Sequence, residues 1–380
     1  MSIDRVVKEA VESGALPGVV AMAATRDGVI YQGAHGARTV GTEDPVTLAT
    51  TFRLHSMTKA VTAVAAMQLV EQGRLTLDAP LSALLPDLGQ RPVLTGFDEA
   101  GQPVLVPART PITLRHLLTH TAGFSYDMWN AATLRWQKAT GTPGSGSGKR
   151  ASLLQPLAFE PGTRWQYSIA IDWVGLAIEA ASGLSLEDYC RRHILGPLGM
   201  NDTTFTQSDE QRARRITMHK RQPDGAIAPI ILDRPEVNEY LNGGGGLFGT
   251  VPDYLAFTRC LLGGGAPLVR PETFALVSAN AMGDIRVEKL VAAMPALVGD
   301  VEFWPGMDKT WGLSFLINTK ETPEGRSAGS LAWAGLSNLY YWVDLKKGVT
   351  GVFASQMLPF YDARAVDAFR AFERAVYDAL

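Results

Sequence analysis

The chain has 380 residues, of which 46% are hydrophobic and 19% charged, and its net charge at pH 7 is −3. This length and composition predict a globular protein with a large core and two structural lobes. A nearly balanced charge gives no electrostatic reason to expect nucleic acid or an anionic membrane as a partner. Cys190 and Cys260 lie in apolar, helix-like sequence, so we expect buried free thiols and no disulfide framework.

The N-terminus predicts an amphipathic, charged helix that lacks the apolar core and the cleavage site of a signal peptide. No uninterrupted apolar run approaches the ~20 residues that a membrane-spanning helix needs. From these two observations we expect a cytoplasmic protein without a membrane partner.

Two strands and a buried helix follow. Residues 19–25 and 29–33 are joined by Asp27-Gly28, a tight-turn signal, and predict a β-hairpin. Residues 60–70 are apolar almost all round, as in a helix inside a protein, and Gly73 is a helix stop signal. The chain therefore forms strands first and then enters a buried helix.

Ser56 and Lys59 stand at the start of this helix with the spacing S-x-x-K. Residues three apart lie side by side on one helix face, so the hydroxyl and the amine should be close together. A dry site disfavours the ammonium and lowers the lysine pKa, and the amine can then take the proton of a serine nucleophile. The pattern is short, and taken alone it fits an N-cap serine followed by a surface lysine better.

The middle of the chain predicts helices and the last third predicts strands. Residues 74–110 are rich in loop signals, and helices are expected at 171–181, 185–194 and 251–262. Strands are expected at 311–318, 330–333, 338–344 and 349–355, before a final amphipathic helix at 363–380. Strands at both ends with helices between them imply that the N-terminal hairpin completes a C-terminal sheet.

Three other patterns do not predict a site. His116 and His120 have the i, i+4 spacing of zinc ligands but lack the glutamate of H-E-x-x-H, so no metal is expected. Residues 142–149, rich in glycine and serine, predict a mobile surface loop whose serines do not fit G-x-S-x-G. The glycine run at 243–249 is not followed by Lys-Ser/Thr, so it is not a phosphate loop.

Taken together, these segments resemble the serine β-lactamase and penicillin-binding protein superfamily. The chain is most similar to the class C β-lactamase-like branch and, within it, to the family VIII carboxylesterases. The resemblance covers roughly residues 18–355. It rests on Ser56-Met-Thr-Lys59, Leu117-Leu-Thr-His-Thr-Ala-Gly123, Phe159-Glu-Pro-Gly-Thr-Arg-Trp-Gln-Tyr167-Ser168, Gly243-Gly-Gly-Gly-Leu-Phe-Gly249 and Trp333-Ala-Gly335.

The resemblance implies an α+β fold of the β-lactamase type, with an antiparallel sheet flanked by helices and a mainly helical domain. Residues 1–80 and 215–380 are expected to form the α/β domain, and residues 81–214 the helical domain. The active site is expected between the two domains.

The resemblance also implies the roles of the site residues. Ser56 is the acylated residue, Lys59 is its partner, and Tyr167 matches the tyrosine of the second motif. Beside Lys59 as a cation the phenolate of Tyr167 would be favoured, and it would then accept the Ser56 proton. Which of the two is the formal base stays open, because their titrations are coupled. The backbone N–H groups of Ser56 and Leu336 would form the oxyanion hole.

Two departures from the family's β-lactamases and D-peptidases point to ester substrates. Trp333 stands where those enzymes have the lysine of Lys-Thr-Gly, so a cation for a substrate carboxylate is replaced by an apolar wall. Ile169 stands where they carry an asparagine that contacts a substrate amide. The residues expected at the substrate pocket are Trp333, Gly335, Ile169 and Tyr126, with Trp129, Trp304 and Phe315 as further candidates.

We therefore predict a serine carboxylesterase that hydrolyses short-chain acyl esters, a small-molecule substrate, without cofactor or metal. A β-lactamase or D-amino-acid peptidase or amidase, an esterase with weak β-lactamase activity, and an acyltransferase stay open as alternatives. A non-catalytic binding relative of the fold is a more distant one. The natural ester and the oligomeric state do not follow from the sequence.

Overall fold

Apolar segments near the two ends of the chain form strands, and the segments between them are mostly helical. The computed structural model describes residues 2–89, 91–231 and 238–380. The α-helices are α1 (Ile3–Glu12), α2 (Thr58–Glu71), α3 (Leu114–Leu118), α4 (Ala131–Thr140), α5 (Ala170–Ser182), α6 (Leu186–Cys190), α7 (Asp209–Ala213), α8 (Val251–Leu262), α9 (Pro271–Ser278) and α10 (Ala363–Asp378). The strands are β1 (Gly18–Thr25), β2 (Val29–Gly36), β3 (Phe52–Arg53), β4 (Pro92–Phe97), β5 (Pro103–Pro107), β6 (His219–Arg221), β7 (Ile227–Pro229), β8 (Phe248–Gly249), β9 (Lys309–Trp311), β10 (Leu316–Asn318), β11 (Leu331–Gly335), β12 (Leu339–Asp344), β13 (Val349–Ala354) and β14 (Met357–Leu358).

The main sheet has seven strands in the order β2-β1-β13-β12-β11-β10-β9. All of its pairs are antiparallel. Strand β1 pairs with β13, so the N-terminal hairpin lies in the same sheet as the C-terminal strands, as the sequence predicts. The predicted fold class, a β-lactamase-like α+β fold with an antiparallel sheet flanked by helices, is confirmed.

Both faces of this sheet are covered, because successive side chains of a strand point to opposite faces. The ring of Tyr340 on β12 stacks on Phe369 of α10 at 4.5 Å between centroids. The ring of the next residue, Tyr341, meets Tyr254 of α8 at 5.2 Å. Every residue of β12 is buried, as expected for a strand between two helical layers.

Helix α2 is buried on every side. Each residue from Thr58 to Leu69 is buried, which agrees with the apolar sequence at 60–70. The helix packs against α5, which is also mostly buried. The N-terminal end of α2 faces β11 through the turn His55–Met57.

Two segments differ from the predicted elements. Residues 311–318, predicted as one strand, form β9 and β10 with a turn at Gly312 to Ser314, where Ser314 has φ of 75°. Residues 92–107, within the predicted loop region, form the hairpin β4–β5. Its apolar residues do not alternate, and three consecutive ones in β5 are exposed, so no strand period is visible there.

Residues 81–214 contain helices α3 to α7 together with the β4–β5 hairpin. The division into domains at 80/81 and 214/215 stays a prediction. Over the three described stretches, no helix is long and apolar enough to cross a membrane.

Candidate active site

Ser56 lies in a tight turn between strand β3 and helix α2. Strand β3 pairs with β8, and the 3₁₀ turn His55–Met57 then leads directly into α2. His55 has φ of 47°, a left-handed conformation that non-glycine residues adopt rarely and that stores strain at functional sites. The turn places Ser56 at the N-terminus of the helix, where backbone N–H groups lack intrahelical acceptors and the dipole favours negative charge.

Lys59 is fully buried one turn further along, and its amine contacts three oxygens. Its Nζ lies 3.1 Å from Ser56 Oγ and 3.0 Å from the hydroxyl of Tyr126, and it donates to the carbonyl of Gly244 at 2.7 Å. A neutral amine has two N–H donors and one lone pair. If the donors serve Tyr126 and Gly244, the lone pair is available to accept the Ser56 proton.

Burial lowers the pKa of Lys59 from its usual value of 10.5 to about 7, and the charge of Asp172 acts in the opposite direction. A substantial fraction of Lys59 is therefore neutral near pH 7. This is the state that a general base for Ser56 requires.

Tyr167 lies on the other side of Ser56. The indole N–H of Trp333 donates to its hydroxyl at 2.9 Å, and Lys59 Nζ lies 4.7 Å from the centre of its ring. Burial raises the pKa of Tyr167, and its hydrogen bonds with Ser56 and Trp333 act in the opposite direction but do not outweigh it. In the resting protein, desolvation therefore opposes the phenolate of Tyr167 that the resemblance leads us to expect.

The imidazole of His120 packs against the ring of Tyr167, with 4.8 Å between ring centres. Its Nδ1 lies 3.1 Å from Ser168 Oγ, and burial holds the pKa of His120 well below its usual value. A neutral imidazole at this position supports the tyrosine ring without adding charge to the site.

A cleft that is partly open to solvent lies over Ser56. Its lining combines aromatic and apolar side chains with polar groups, and among the described lining residues none is Arg, Lys, Asp or Glu. The lining residues are His55, Ser56, Tyr126, Met128, Trp129, Ser145, Gly146, Tyr167, Asn242, Gly244, Gly245, Trp333, Ala334, Leu336 and Phe360. Such a surface suits a neutral ligand that has both apolar and hydrogen-bonding groups.

Of the predicted pocket residues, Tyr126, Trp129 and Trp333 line this cleft. Tyr126 does more than the sequence suggests, because its hydroxyl contacts Lys59. Trp333 also does more than form an apolar wall, because its N–H donates to Tyr167. Neither contact has a local sequence signal, since each joins segments more than 60 residues apart.

The other predicted pocket residues lie elsewhere. Ile169 is buried at the N-cap of α5 and does not line the cleft. Gly335 does not line it either; a Cβ atom there would lie 2.6 Å from the carbonyl of Leu54, so glycine is needed for β11 to approach the Ser56 turn. Trp304 and Phe315 are buried away from the cleft.

Residues 142–149, predicted as a surface loop, contribute Ser145 and Gly146 to the cleft. The carboxylate of Asp127 accepts from Ser145 Oγ at 2.8 Å and from the Ser145 N–H at 3.3 Å. Ser145 is buried, so the prediction of a surface loop is wrong at this residue. Its hydroxyl and its backbone N–H can be buried because the carboxylate of Asp127 accepts from both. Composition alone does not reveal such an anchor.

Leu336 and Ser56 line the same cleft, and β11 packs against the turn that carries Ser56. Leu336 directly follows β11, so its backbone emerges beside the nucleophile. The use of these two N–H groups as an oxyanion hole stays a prediction.

Known proteins are similar to this chain over nearly its whole length. Monacolin J acid methylbutanoyltransferase of Aspergillus terreus is 34% identical over 388 residues, covering 97% of this chain and 94% of the relative. Lovastatin esterase of Penicillium rubens is 30% identical, covering 99% of this chain and 98% of the relative. One relative is thus named as a transferase and the other as an esterase.

Two solved structures are also similar to this chain over nearly its whole length. The LovD6 mutant of simvastatin synthase from Aspergillus terreus superimposes with a TM-score of 0.85 at 32% identity, covering 99% of this chain and 94% of that one. EstCE1, described as a hydrolase with promiscuous acyltransferase activity, superimposes with a TM-score of 0.79 at 25% identity, covering 99% and 97%. The Beta-lactamase family model matches residues 3–375. The chain therefore belongs to the Beta-lactamase family, within the superfamily of serine β-lactamases and penicillin-binding proteins.

Proposed function

We propose that this protein forms an acyl-enzyme at Ser56 from small acyl esters and passes the acyl group to an alcohol or to water. The observation that carries the proposal is the position of the Lys59 amine, 3.1 Å from Ser56 Oγ and fully buried. A desolvated amine at hydrogen-bond distance from a serine hydroxyl is the arrangement that activates a nucleophile.

In the proposed reaction, neutral Lys59 accepts the proton of Ser56 as Oγ attacks the ester carbonyl. The backbone N–H groups of Ser56 and Leu336 stabilise the oxyanion. Tyr167, a phenol at rest, donates its proton to the departing alcohol and regains one from Lys59. The acceptor alcohol or water then reverses these proton transfers and releases the acyl group. Lys59 is assigned as the base because burial lowers its pKa and raises that of Tyr167.

The charge of the cleft favours esters over β-lactams and peptides. Those substrates carry a carboxylate, and the described lining of the cleft has no arginine or lysine to bind one. Trp333 occupies the position of the family's lysine, and its N–H is already directed at Tyr167. A neutral ester leaves no buried charge unpaired in this site.

Transfer to an alcohol is the part of the proposal that the relatives support. Two of them are named as a methylbutanoyltransferase and as a hydrolase with acyltransferase activity. Aromatic walls such as Trp129 and Trp333 bury the apolar part of an acceptor alcohol and thereby raise its local concentration relative to water.

Intact mass spectrometry after treatment with a p-nitrophenyl phosphonate tests the acyl-enzyme. We expect one phosphonate adduct that maps to Ser56 and that disappears in Ser56→Ala. Ser145→Ala is the matched control, because Ser145 lies in the same cleft and its hydroxyl donates to Asp127. Labelling of the Ser56→Ala variant would contradict the assignment of the nucleophile.

A side-by-side assay tests the reaction. We expect p-nitrophenyl butyrate to be cleaved and, with benzyl alcohol present, benzyl butyrate to form at a rate that rises with alcohol concentration. Nitrocefin, which carries a carboxylate, should turn over far more slowly. Nitrocefin turnover comparable with that of p-nitrophenyl acetate would overturn the preference for esters, and absence of benzyl butyrate would restrict the activity to hydrolysis.

A further inference from the structure

Two hydrogen bonds connect helix α5 to the amine of Lys59. Asp172 lies in the first turn of α5, and its Oδ1 accepts from the backbone N–H of Gly244 at 2.8 Å. The carbonyl of Gly244 in turn accepts from Lys59 Nζ at 2.7 Å. Asp172 therefore acts on Lys59 through one residue of backbone, and Asp172 itself does not line the cleft.

The backbone of this connection is closely packed against its neighbours. A Cβ atom on Gly244 would lie 3.0 Å from Asp172 Oδ1, and one on Gly243 would lie 2.9 Å from the carbonyl of Ile171. The hydroxyl of Thr62 on α2 donates to the carbonyl of Gly243 at 2.7 Å. The glycine run is thus held between α2 and α5, and the Gly244 carbonyl stays directed at Lys59.

Asp172 also supplies the negative charge that acts on Lys59. Both side chains are buried. Burial raises the pKa of Asp172 to about 6 and lowers that of Lys59, and each charge favours the ionised form of the other. Without Asp172, the lysine would stand in the same dry environment with no carboxylate to compensate it.

The other titratable groups that face this pair, over the part of the chain that the structure describes, are the phenols of Tyr126, Tyr167 and Tyr240 and the imidazole of His120. Burial raises the pKa of Tyr167 and Tyr240 and lowers that of His120, so these three groups are neutral near pH 7. None of the three replaces the charge of Asp172.

We propose that Asp172 is a positioning residue for the acylation chemistry: it fixes the Gly244 carbonyl that orients the Lys59 amine, and its charge sets the balance between ammonium and amine. The inference rests on the proposed role of Lys59 as the base for Ser56. It assigns a function to a carboxylate that touches neither the substrate cleft nor Ser56.

Asp172→Asn tests the proposal because it removes the charge and keeps the size and an acceptor oxygen. The measurement is the rate of phosphonate inactivation of Ser56 as a function of pH, which reports the nucleophile without depending on ester binding. We expect the wild-type rate to rise with pH through the titration of Lys59. In Asp172→Asn the midpoint of this rise should lie lower by about one pH unit, since an opposite charge that favours the ammonium is lost.

Asp344→Asn is the matched control. Asp344 is another buried carboxylate, but it lies outside the cleft and accepts from the backbone N–H of Ser327, so the midpoint of this variant should equal that of the wild type. A lower plateau rate with an unmoved midpoint in Asp172→Asn would overturn the proposal and reduce Asp172 to a structural residue. Absence of any Ser56 adduct in the wild type would instead overturn the proposed function.

A stability measurement applies even if Asp172→Asn folds poorly. Lys59→Met leaves Asp172 as a buried charge without its partner, and the double change Lys59→Met with Asp172→Asn removes both charges. At pH 6.5, between the pKa of Asp172 at about 6 and that of Lys59 at about 7, a large share of both groups is charged. At this pH the Tm of the double variant should exceed the value expected from adding the two single effects. Additive effects would show that the two charges do not interact and would overturn the proposal.

Discussion

At the scale of single residues, the hydroxyl of Tyr167 is placed to relay a proton, and Tyr167→Phe tests this. The ring keeps its packing against Trp333 and His120, whereas the oxygen that accepts from the Trp333 N–H is lost. Proton relay contributes about 10²–10⁴-fold, so kcat for p-nitrophenyl butyrate should fall within that range while KM changes little. The rate is measured together with its pH dependence.

The control for this change is Tyr341→Phe, which removes a buried hydroxyl on β12 that does not line the cleft. Its kcat should stay near the wild-type value. If Tyr167→Phe keeps more than about a third of wild-type kcat, far above the expected range, Tyr167 has no part in the mechanism and Lys59 acts alone.

The residues of the site differ in how far the sequence predicts them. The contact between Ser56 and Lys59 follows from helix geometry, because positions i and i+3 share a face. The bond from Trp333 to Tyr167 and the contact of Tyr126 with Lys59 join residues that are distant along the chain. No local sequence pattern indicates such contacts. The proposed role of Asp172 likewise has no sequence signal beyond a carboxylate near the start of a helix.

At the scale of elements, the side chain of Asp127 connects the loop at 142–149 to the turn Asp127–Trp129. Asp127→Ala removes the acceptor of both Ser145 hydrogen bonds, and hydrogen bonds to a carboxylate contribute about 1.5–3 kcal/mol each. The loop then no longer holds the cleft wall, so KM for p-nitrophenyl butyrate should rise by about tenfold or more while kcat falls less. Steady-state kinetics of the variant measure both constants.

Ser147→Ala is the comparison for this prediction. Ser147 lies on the same loop, does not line the cleft, and has no bond to Asp127 among the described contacts. Its KM should match the wild type. An unchanged KM in Asp127→Ala would mean that the loop holds its place without this carboxylate.

Elements whose apolar residues recur with a clear helix or strand period are predicted well from the sequence. Elements without such a period are not. The hairpin β1–β2, helix α8 and strand β12 each have a continuous apolar or amphipathic pattern that ends at turn residues. The hairpin β4–β5 begins and ends at prolines and contains an irregular register at Gly96, so its pairing is visible only in three dimensions. The burial of Ser145 in the loop at 142–149 is also missed, because the carboxylate that binds it, that of Asp127, lies outside this segment.

At the scale of the whole molecule, the buried charges of Lys59 and Asp172 lie in the packed interior between α2 and α5. Burying an ionisable pair costs solvation free energy that its mutual attraction only partly offsets. The pair lies beside Ser56, where we propose that the nucleophile is activated. Burying the pair should therefore change how the free energy of unfolding of the whole protein depends on pH, because folding and the ionisation of buried groups are linked.

The sign of this linkage gives the last prediction. The pKa of Lys59 is about 7 in the folded protein and near 10.5 when the chain is unfolded, so between these values the unfolded state binds more protons. The free energy of unfolding should then rise with pH across this window. Asp172 has the opposite effect, because its raised pKa makes stability fall with pH, but only between about 3.8 and 6. Thermal unfolding of the wild type and of the double variant Lys59→Met with Asp172→Asn is compared at pH 7, 8 and 9 and constant ionic strength. Burial raises the pKa of the Cys190 and Cys260 thiols and lowers that of Lys309, but these groups are the same in both proteins. The wild-type Tm should therefore rise relative to that of the double variant over this range. A wild-type Tm that follows the double variant across these three values would mean that Lys59 titrates at an ordinary pKa and is not the neutral base that acylation of Ser56 requires.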